Sequence, residues 1–334
     1  MARVTNPMPT LPPPPAVSRR TVPVSGLLVD FYGIDELTPE TQTVSVLWLH
    51  HARMRNRGDM GDIAARCIHA VAAAAQTTHR LVAAAFDQRN HGSRLAAAQA
   101  NGAWAEGNPT HAQDMFGTVA GTVADQRLLL DLVEAYPGVA LPAGVRTTQH
   151  FILGVSLGGH TGWQLLLADD RVTAGVLVVG CPDYMELLRD RAALSKLPTA
   201  GTSFFGSRDF PEGLVAACLK HDAKGIVFGT ATPAWPPSDE AAVAAIKPTL
   251  QQRVTGKRFL VCSGAEDKAV PYRCAAPFLT ALKRAAATWP DLDLVVHDKV
   301  YEGIGHAFSE AMVADAVQFV VDTVQAGPNT SSKM

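Results

Sequence analysis

The sequence predicts an α/β fold built on a mostly parallel sheet with helices on both faces. Three observations carry that prediction. Short apolar, β-branched runs alternate along the chain with stretches of helical periodicity, the pattern of repeated strand–helix units. Several of these runs are apolar throughout, as strands buried on both faces must be. Polar residues gather just past the ends of the runs, at His50–His51, Asp87 to Asn90, Ser156, Asp183 and Asp267. Open sheets of this kind bind ligands beyond the carboxyl ends of their strands.

Each element has its own signal. A strand pair is expected at about 21–35, where Leu27, Leu28 and Val29 lead to Tyr32–Gly33. Thr43 to His50 and Arg80 to Phe86 are apolar runs that end in polar residues and read as buried strands. Val123, Leu128, Leu132 and Ala135 give residues 114–135 a helical pattern, stopped by Pro137–Gly138. A strand over His150 to Val155 runs into a helix over Leu157 to Ala168, and Val172 to Val179 is a further strand. Phe259 to Cys262 is a strand, 273–288 a helix and 292–301 a strand. Met312, Ala316, Phe319, Val320 and Val324 make 309–326 a final amphipathic helix.

Residues 181–257 interrupt the alternation. They hold no convincing strand, only short amphipathic patterns (Tyr184, Leu187, Leu188, Leu194; then Leu214, Val215, Cys218, Leu219) and the aromatics Phe204, Phe205, Phe210 and Trp235, which read as exposed. The expectation is a helical cap over 181–257, inserted into a core of 21–180 and 258–326, with the aromatics as a set lining an apolar pocket. The proline-rich residues 1–20 are expected to be a mobile polyproline arm outside the fold, and 327–334 a flexible tail.

Composition limits the partners. Of 334 residues, 47% are hydrophobic and 18% charged, and the net charge of −2 gives no reason to expect nucleic acid or an anionic membrane. The alanine runs Ala72–Ala75 and Ala96–Ala98 favour helix. No apolar run approaches the ~18 residues that span a bilayer. Five scattered cysteines (Cys67, Cys181, Cys218, Cys262, Cys274) without a C-x-x-C point to free thiols rather than a disulfide framework or a zinc site. The start of the chain has no apolar signal region. A soluble intracellular protein with a small-molecule partner is expected.

Gly154-Val155-Ser156-Leu157-Gly158 matches G-x-S-x-G. It lies between an apolar strand, F-I-L-G-V, and a helix, L-G-G-H-T-G-W-Q-L-L-L, the strand–turn–helix setting of a nucleophile elbow. Glycines flank the serine because the turn is too sharp for side chains there. The competing reading is a glycine-rich turn with an incidental serine.

With these motifs the chain, from about residue 25 to 326, resembles the α/β-hydrolase superfamily. The longer runs F-D-Q-R-N-H-G-S-R (86–94) and G-V-S-L-G-G-H (154–160) are similar to runs in fungal α/β-hydrolase proteins of unassigned substrate. The resemblance implies the chain order Ser, Asp or Glu, His. It places the acid after the strand that follows the cap, in Ser263-Gly264-Ala265-Glu266-Asp267-Lys268-Ala269-Val270-Pro271, and the histidine in Gly303-Ile304-Gly305-His306-Ala307-Phe308. The implied triad is Ser156, Asp267 and His306. Glu266 and Asp183 remain alternative acids, the latter because some members carry the acid after the preceding strand. Serine needs a base to become a nucleophile. Histidine supplies one near neutral pH, and a buried carboxylate fixes its tautomer. The oxyanion hole would use the N–H of Leu157, at a helix start, and a second N–H from the loop after His50. There the family's His-Gly-x is replaced by His50-His51-Ala52, which implies Ala52 N–H, or His51 as the alternative.

The resulting expectation is a cofactor-free serine hydrolase acting on a small-molecule carboxylic ester or thioester. An acyltransferase using the same triad, or a non-catalytic binding protein on this fold, are the alternatives. His91 in R-N-H-G reads as loop-shaping and His160 as a core or supporting residue. His50, His51, His91 and His111 lack metal-ligand spacing. The terminal Ser332-Lys333-Met334 resembles the peroxisomal S-K-L address, against the plainer reading of an ordinary tail on a cytoplasmic protein.

Overall fold

The structure, a computed structural model, describes residues 10–74, 78–136, 139, 141–237 and 240–327. The tripeptide Ser332-Lys333-Met334 lies outside them. Eight strands form one sheet: β1 (Arg19–Val24), β2 (Leu27–Tyr32), β3 (Thr43–His50), β4 (His79–Phe86), β5 (Arg146–Val155), β6 (Val172–Val178), β7 (Arg258–Gly264) and β8 (Val295–Tyr301). Their spatial order is β1-β2-β4-β3-β5-β6-β7-β8. β1 and β2 form an antiparallel hairpin turned at Ser25–Gly26, both residues at positive φ, and β2 lies antiparallel to β4. All remaining pairs are parallel.

The helices are α1 (Gly61–Ala74), α2 (His111–Leu132), α3 (Leu157–Ala168), α4 (Tyr184–Leu194), α5 (Glu212–His221), α6 (Ala223–Phe228), α7 (Glu240–Val254), α8 (Tyr272–Thr288) and α9 (Glu310–Ala326). The pleat sends alternate strand residues to opposite cores. Val44, Val46 and Trp48 of β3 join the core that includes α2, α3 and α8. Leu47 and Leu49 join the core made with α1 and α9. Burial on both faces explains why these strands carry no polar alternation.

Three features differ from the sequence reading. First, α1 is a full helix where no element is assigned beyond an alanine run. Ile63, Ala64, Cys67, Ile68 and Val71 are its buried stripe. Second, the described part of the proline-rich segment does not stand apart from the fold. Leu11 and Val17 pack against the core beneath α1 and α9. The carbonyls of Pro12 and Pro15 accept hydrogen bonds from Arg66 (2.7 Å) and His69 (3.0 Å), and β1 begins at Arg19. Proline cannot donate, but its carbonyl accepts as well as any other. Third, the aromatics of the inserted segment are not an exposed set. Phe204 and Phe210 are fully buried and pack with Phe205 at ring separations of 5.1–5.3 Å. Trp235 stands against Trp289 instead.

Between β6 and β7 the described residues form α4 to α7 and add no strand to the sheet. The five cysteines are unpaired and buried. Among the described residues no helix is long and apolar enough to cross a membrane.

Candidate active site

The chain leaves β3 toward β4 on one side, while β5 takes up the other side of β3. The carboxyl ends of β3 and β5 therefore flank a topological switch point, where a crevice opens. Ser156 stands there as the single residue between β5 and α3, with φ 55° and ψ −108°. That conformation is costly for a residue with a side chain and persists only where its surroundings enforce it. The enforcement is visible. Ser156 N–H donates to Val178 O of β6 at 2.8 Å. A Cβ on Gly154 would lie 2.0 Å from Gly158 O, and one on Gly158 would lie 2.1 Å from His50 O. Only glycine lets the helix start approach this closely.

Ser156 Oγ lies 2.9 Å from His306 Nε2, and His306 Nδ1 lies 2.7 Å from Asp267 Oδ2. A carboxylate accepts, so the imidazole proton sits on Nδ1 and leaves Nε2 to take the serine proton. Two backbone bonds that continue the β7–β8 pairing join the acid and histidine loops. Ala265 N–H donates to Tyr301 O at 3.0 Å and Glu266 N–H to Ile304 O at 2.9 Å. The other carboxylate oxygen, Asp267 Oδ1, accepts from Ala269 N–H (2.8 Å) and Val270 N–H (2.9 Å), so the side chain has one orientation.

The alternative acids lie elsewhere. Glu266 is exposed beside the buried Asp267. Asp183 caps α4 by accepting from Glu186 N–H at 3.0 Å and lines a separate pocket of about 380 Å³ with Glu186, Arg189, Phe205 and Lys224.

At the rim, His50 pairs in register with Gly154. Two residues onward, Ala52 and Ser156 both stand just beyond their strand ends. Leu157 N–H is in the first turn of α3, where no intrahelical acceptor exists. The His51 ring is occupied. Its Nε2 accepts from Gln88 N–H at 3.1 Å, and its Nδ1 donates to Ala52 O at 2.8 Å.

No family model and no curated protein matches the sequence. Solved structures do match its fold. TT1662 from Thermus thermophilus aligns over 91% of this chain and 97% of its own, with TM-score 0.51 and 18% identity. The acylaminoacyl peptidase of Pyrococcus horikoshii aligns over 95% of this chain but 43% of its own, with TM-score 0.52 and 11% identity.

The chain has the α/β-hydrolase fold.

Within this α/β-hydrolase fold His91, His160 and His111 have backbone partners. His91 Nδ1 donates to Arg89 O at 2.9 Å, inside the 86–94 loop that Asp87 organises by accepting from Arg57 and Ser93. His160 Nδ1 accepts from Cys181 N–H at 3.1 Å. His111 Nδ1 donates to Gly102 O at 2.9 Å. Among the described residues no group of three or more His, Cys, Asp or Glu side chains is arranged to hold a metal ion.

Burial pushes five histidine rings well below the ordinary value. His50, His111 and His160 come down to about 3, and His51 and His150 to about 4. Arg191 adds to the effect at His111 and His160. The unfolded chain takes up these protons near pH 6.5, the folded one only near 3 to 4. Their contribution to stability is therefore complete above about pH 6.5 and is lost as the pH falls toward 3. Burial raises Asp183 and Asp222, which oppose the trend with fewer protons. Urea unfolding should show stability falling between pH 6.5 and 4. His150→Gln, remote from the serine and able to accept from Trp48 Nε1 in place of the imidazole, should make that slope shallower by about one proton. An unchanged slope would contradict the assignment.

Three side chains that the sequence reading did not single out frame the site. Gln88 ties the rim together, donating to His51 O and accepting from Thr161 Oγ1 on α3. Arg53, next to Ala52, donates to Asn101 O. Arg191 of α4 is buried. The signal for Arg191 was available: it continues the apolar stripe of Tyr184, Leu187 and Leu188, where a charge is out of place.

Proposed function

We propose that the protein is a serine hydrolase that cleaves carboxylic esters or thioesters of small molecules through an acyl-serine intermediate. The hydrogen-bonded chain Ser156–His306–Asp267, with the serine on a strained turn, carries this reading. A solved structure of the same fold named as a peptidase agrees with the class.

Ser156 Oγ attacks the carbonyl carbon while its proton passes to His306 Nε2. The charge that develops on the carbonyl oxygen is received by the N–H groups of Leu157 and Ala52, with the N-terminal end of α3 adding its dipole. Collapse of the tetrahedral intermediate breaks the bond to the alcohol or thiol, which leaves with the proton from Nε2. Water then attacks the acyl-serine and gives its proton to Nε2. The second collapse releases the acid and returns the proton to Oγ. Asp267 keeps the Nδ1 proton in place and stabilises the imidazolium formed in each half-reaction. The segment α4 to α7 acts as the cap that selects the acyl group.

A fluorophosphonate probe tests the reading directly. The wild-type protein is expected to be labelled at Ser156 and to turn over p-nitrophenyl acetate, with longer esters and acyl thioesters reporting chain-length preference. A folded protein that neither reacts with the probe nor hydrolyses any ester or thioester of the series would refute it.

A further inference from the structure

Arg191 belongs to the inserted segment, yet its contacts lead to the triad. Nε and Nη2 both donate to Ala269 O, at 3.2 and 3.0 Å. That carbonyl and the N–H of Val270 are two ends of one peptide unit, and the N–H donates to Asp267 Oδ1 at 2.9 Å. The peptide dipole thus lies between a cation at its oxygen and a carboxylate at its nitrogen, aligned with both. Hydrogen bonds in series polarise one another, and more so away from water.

The rest of the guanidinium environment is neutral or of like charge. Nη1 meets Met115 Sδ at 3.1 Å and His111 Nε2 at 3.5 Å, and His111 presents a lone pair because its Nδ1 carries the proton. Arg53 is a like charge acting on it, while Tyr184 and Cys181 are kept neutral by burial, which raises both well above their ordinary values. His160, on which the charges of Arg191 and His306 both act, is held neutral by burial. Among the described residues no carboxylate comes within ion-pair distance of Arg191. A buried cation must find its compensation somewhere. Here the negative group that acts on it is Asp267, reached through one peptide unit. Burial lowers the Arg191 pKa to about 10, which leaves it charged at neutral pH.

We propose that Arg191 is a positioning residue of the hydrolase. Through the Ala269–Val270 peptide it holds and polarises the Asp267 carboxylate that orients His306, and so couples the inserted helices to the catalytic base. This rests on the acyl-serine reading above. No bond is made or broken by Arg191; it sets the geometry and charge of the group that does the orienting.

The test is a double-mutant cycle read with p-nitrophenyl acetate and with the rate of fluorophosphonate labelling. Arg191→Met keeps much of the side-chain length and removes the charge. It is expected to lower kcat by about 10- to 100-fold with KM nearly unchanged, and to slow labelling in parallel. In an Asp267→Asn background the same substitution should cost less than about 2-fold, because the group it acts through is already neutral. Arg191→Lys should recover most of the loss. A folded Arg191→Met protein with wild-type kcat, or one that loses the same factor in both backgrounds, would overturn the proposal. Should the methionine variant fail to fold, Arg191→Gln, which removes the charge and can still donate to Ala269 O, carries the same cycle. A loss of about 3- to 10-fold confined to the Asp267 background supports the link, and no loss, or equal losses in both, overturns it. A wild-type protein that is neither labelled nor active removes the acyl-serine reading and this inference together. A labelled wild type with a silent Arg191→Met removes only the inference.

Discussion

Ser156→Ala should lower kcat on the best ester by about 10⁶-fold and leave the fold unchanged. Among the described residues the hydroxyl's hydrogen-bond partner is His306 Nε2 at 2.9 Å, so its loss strands little else. The turn should survive, because alanine meets the same φ 55° penalty that serine already bears, and Gly154 and Gly158 still permit the close approach. His306→Ala should reach nearly the same residual rate, and the double variant should be no slower than either single one, since nucleophile and base act as one unit. Steady-state kinetics beside thermal melting would check this. Near wild-type turnover by a folded Ser156→Ala protein would remove the serine from the chemistry.

Asp267→Asn is expected to cost up to about 10⁴ in kcat, by analogy with the serine-protease triad. Asparagine keeps the shape and can still accept from Ala269 and Val270, but an amide NH₂ facing Nδ1 would favour the imidazole tautomer with its proton on Nε2. That tautomer cannot accept from Ser156. Asp183→Asn should be almost silent, because asparagine is as good a helix cap as aspartate and the position gives up a buried charge. Kinetics in which the Asp183 variant is crippled and the Asp267 variant normal would reverse the assignment.

The sheet was legible because its strands satisfy two demands at once. Thr43 to His50 is β-branched and apolar, as a doubly buried parallel strand must be, and its bounds agree with β3. The elbow was legible for a steric reason: the close approaches at Gly154 and Gly158 leave no choice of residue, so geometry appears directly as spelling. What escaped depends on tertiary partners. The stripe of α1 interleaves Ala64 and Cys67 with Ile63, Ile68 and Val71 in an alanine-rich stretch, and what it packs against is evident only once α9 is seen lying across it. Phe204 and Phe210 look exposed in a polar stretch, yet they meet Trp104, from outside the inserted segment, and Tyr184 of α4. The link from Arg191 to Asp267 runs through a backbone carbonyl, and a carbonyl has no letter in the sequence. The second oxyanion donor is obscured because the loop after β3 has His51 and Ala52 where glycine was expected. That His51 serves as a brace, tied to Gln88 and Ala52, emerges only with the fold.

The separation along the chain between Ser156 and the groups that serve it has a consequence for biosynthesis. The nucleophile and its base are 150 residues apart, and the base arrives with β8, the last strand of the sheet. Domains emerge from the ribosome N-terminal end first. Ser156 and the strands that flank it, β3 and β6, are made before β7 and β8. During that interval the serine is an ordinary alcohol, without a proton acceptor. On the acyl-serine reading, a chain that stops short of β8 lacks the base, so activity is expected only once the last strand and the loop after it are in place.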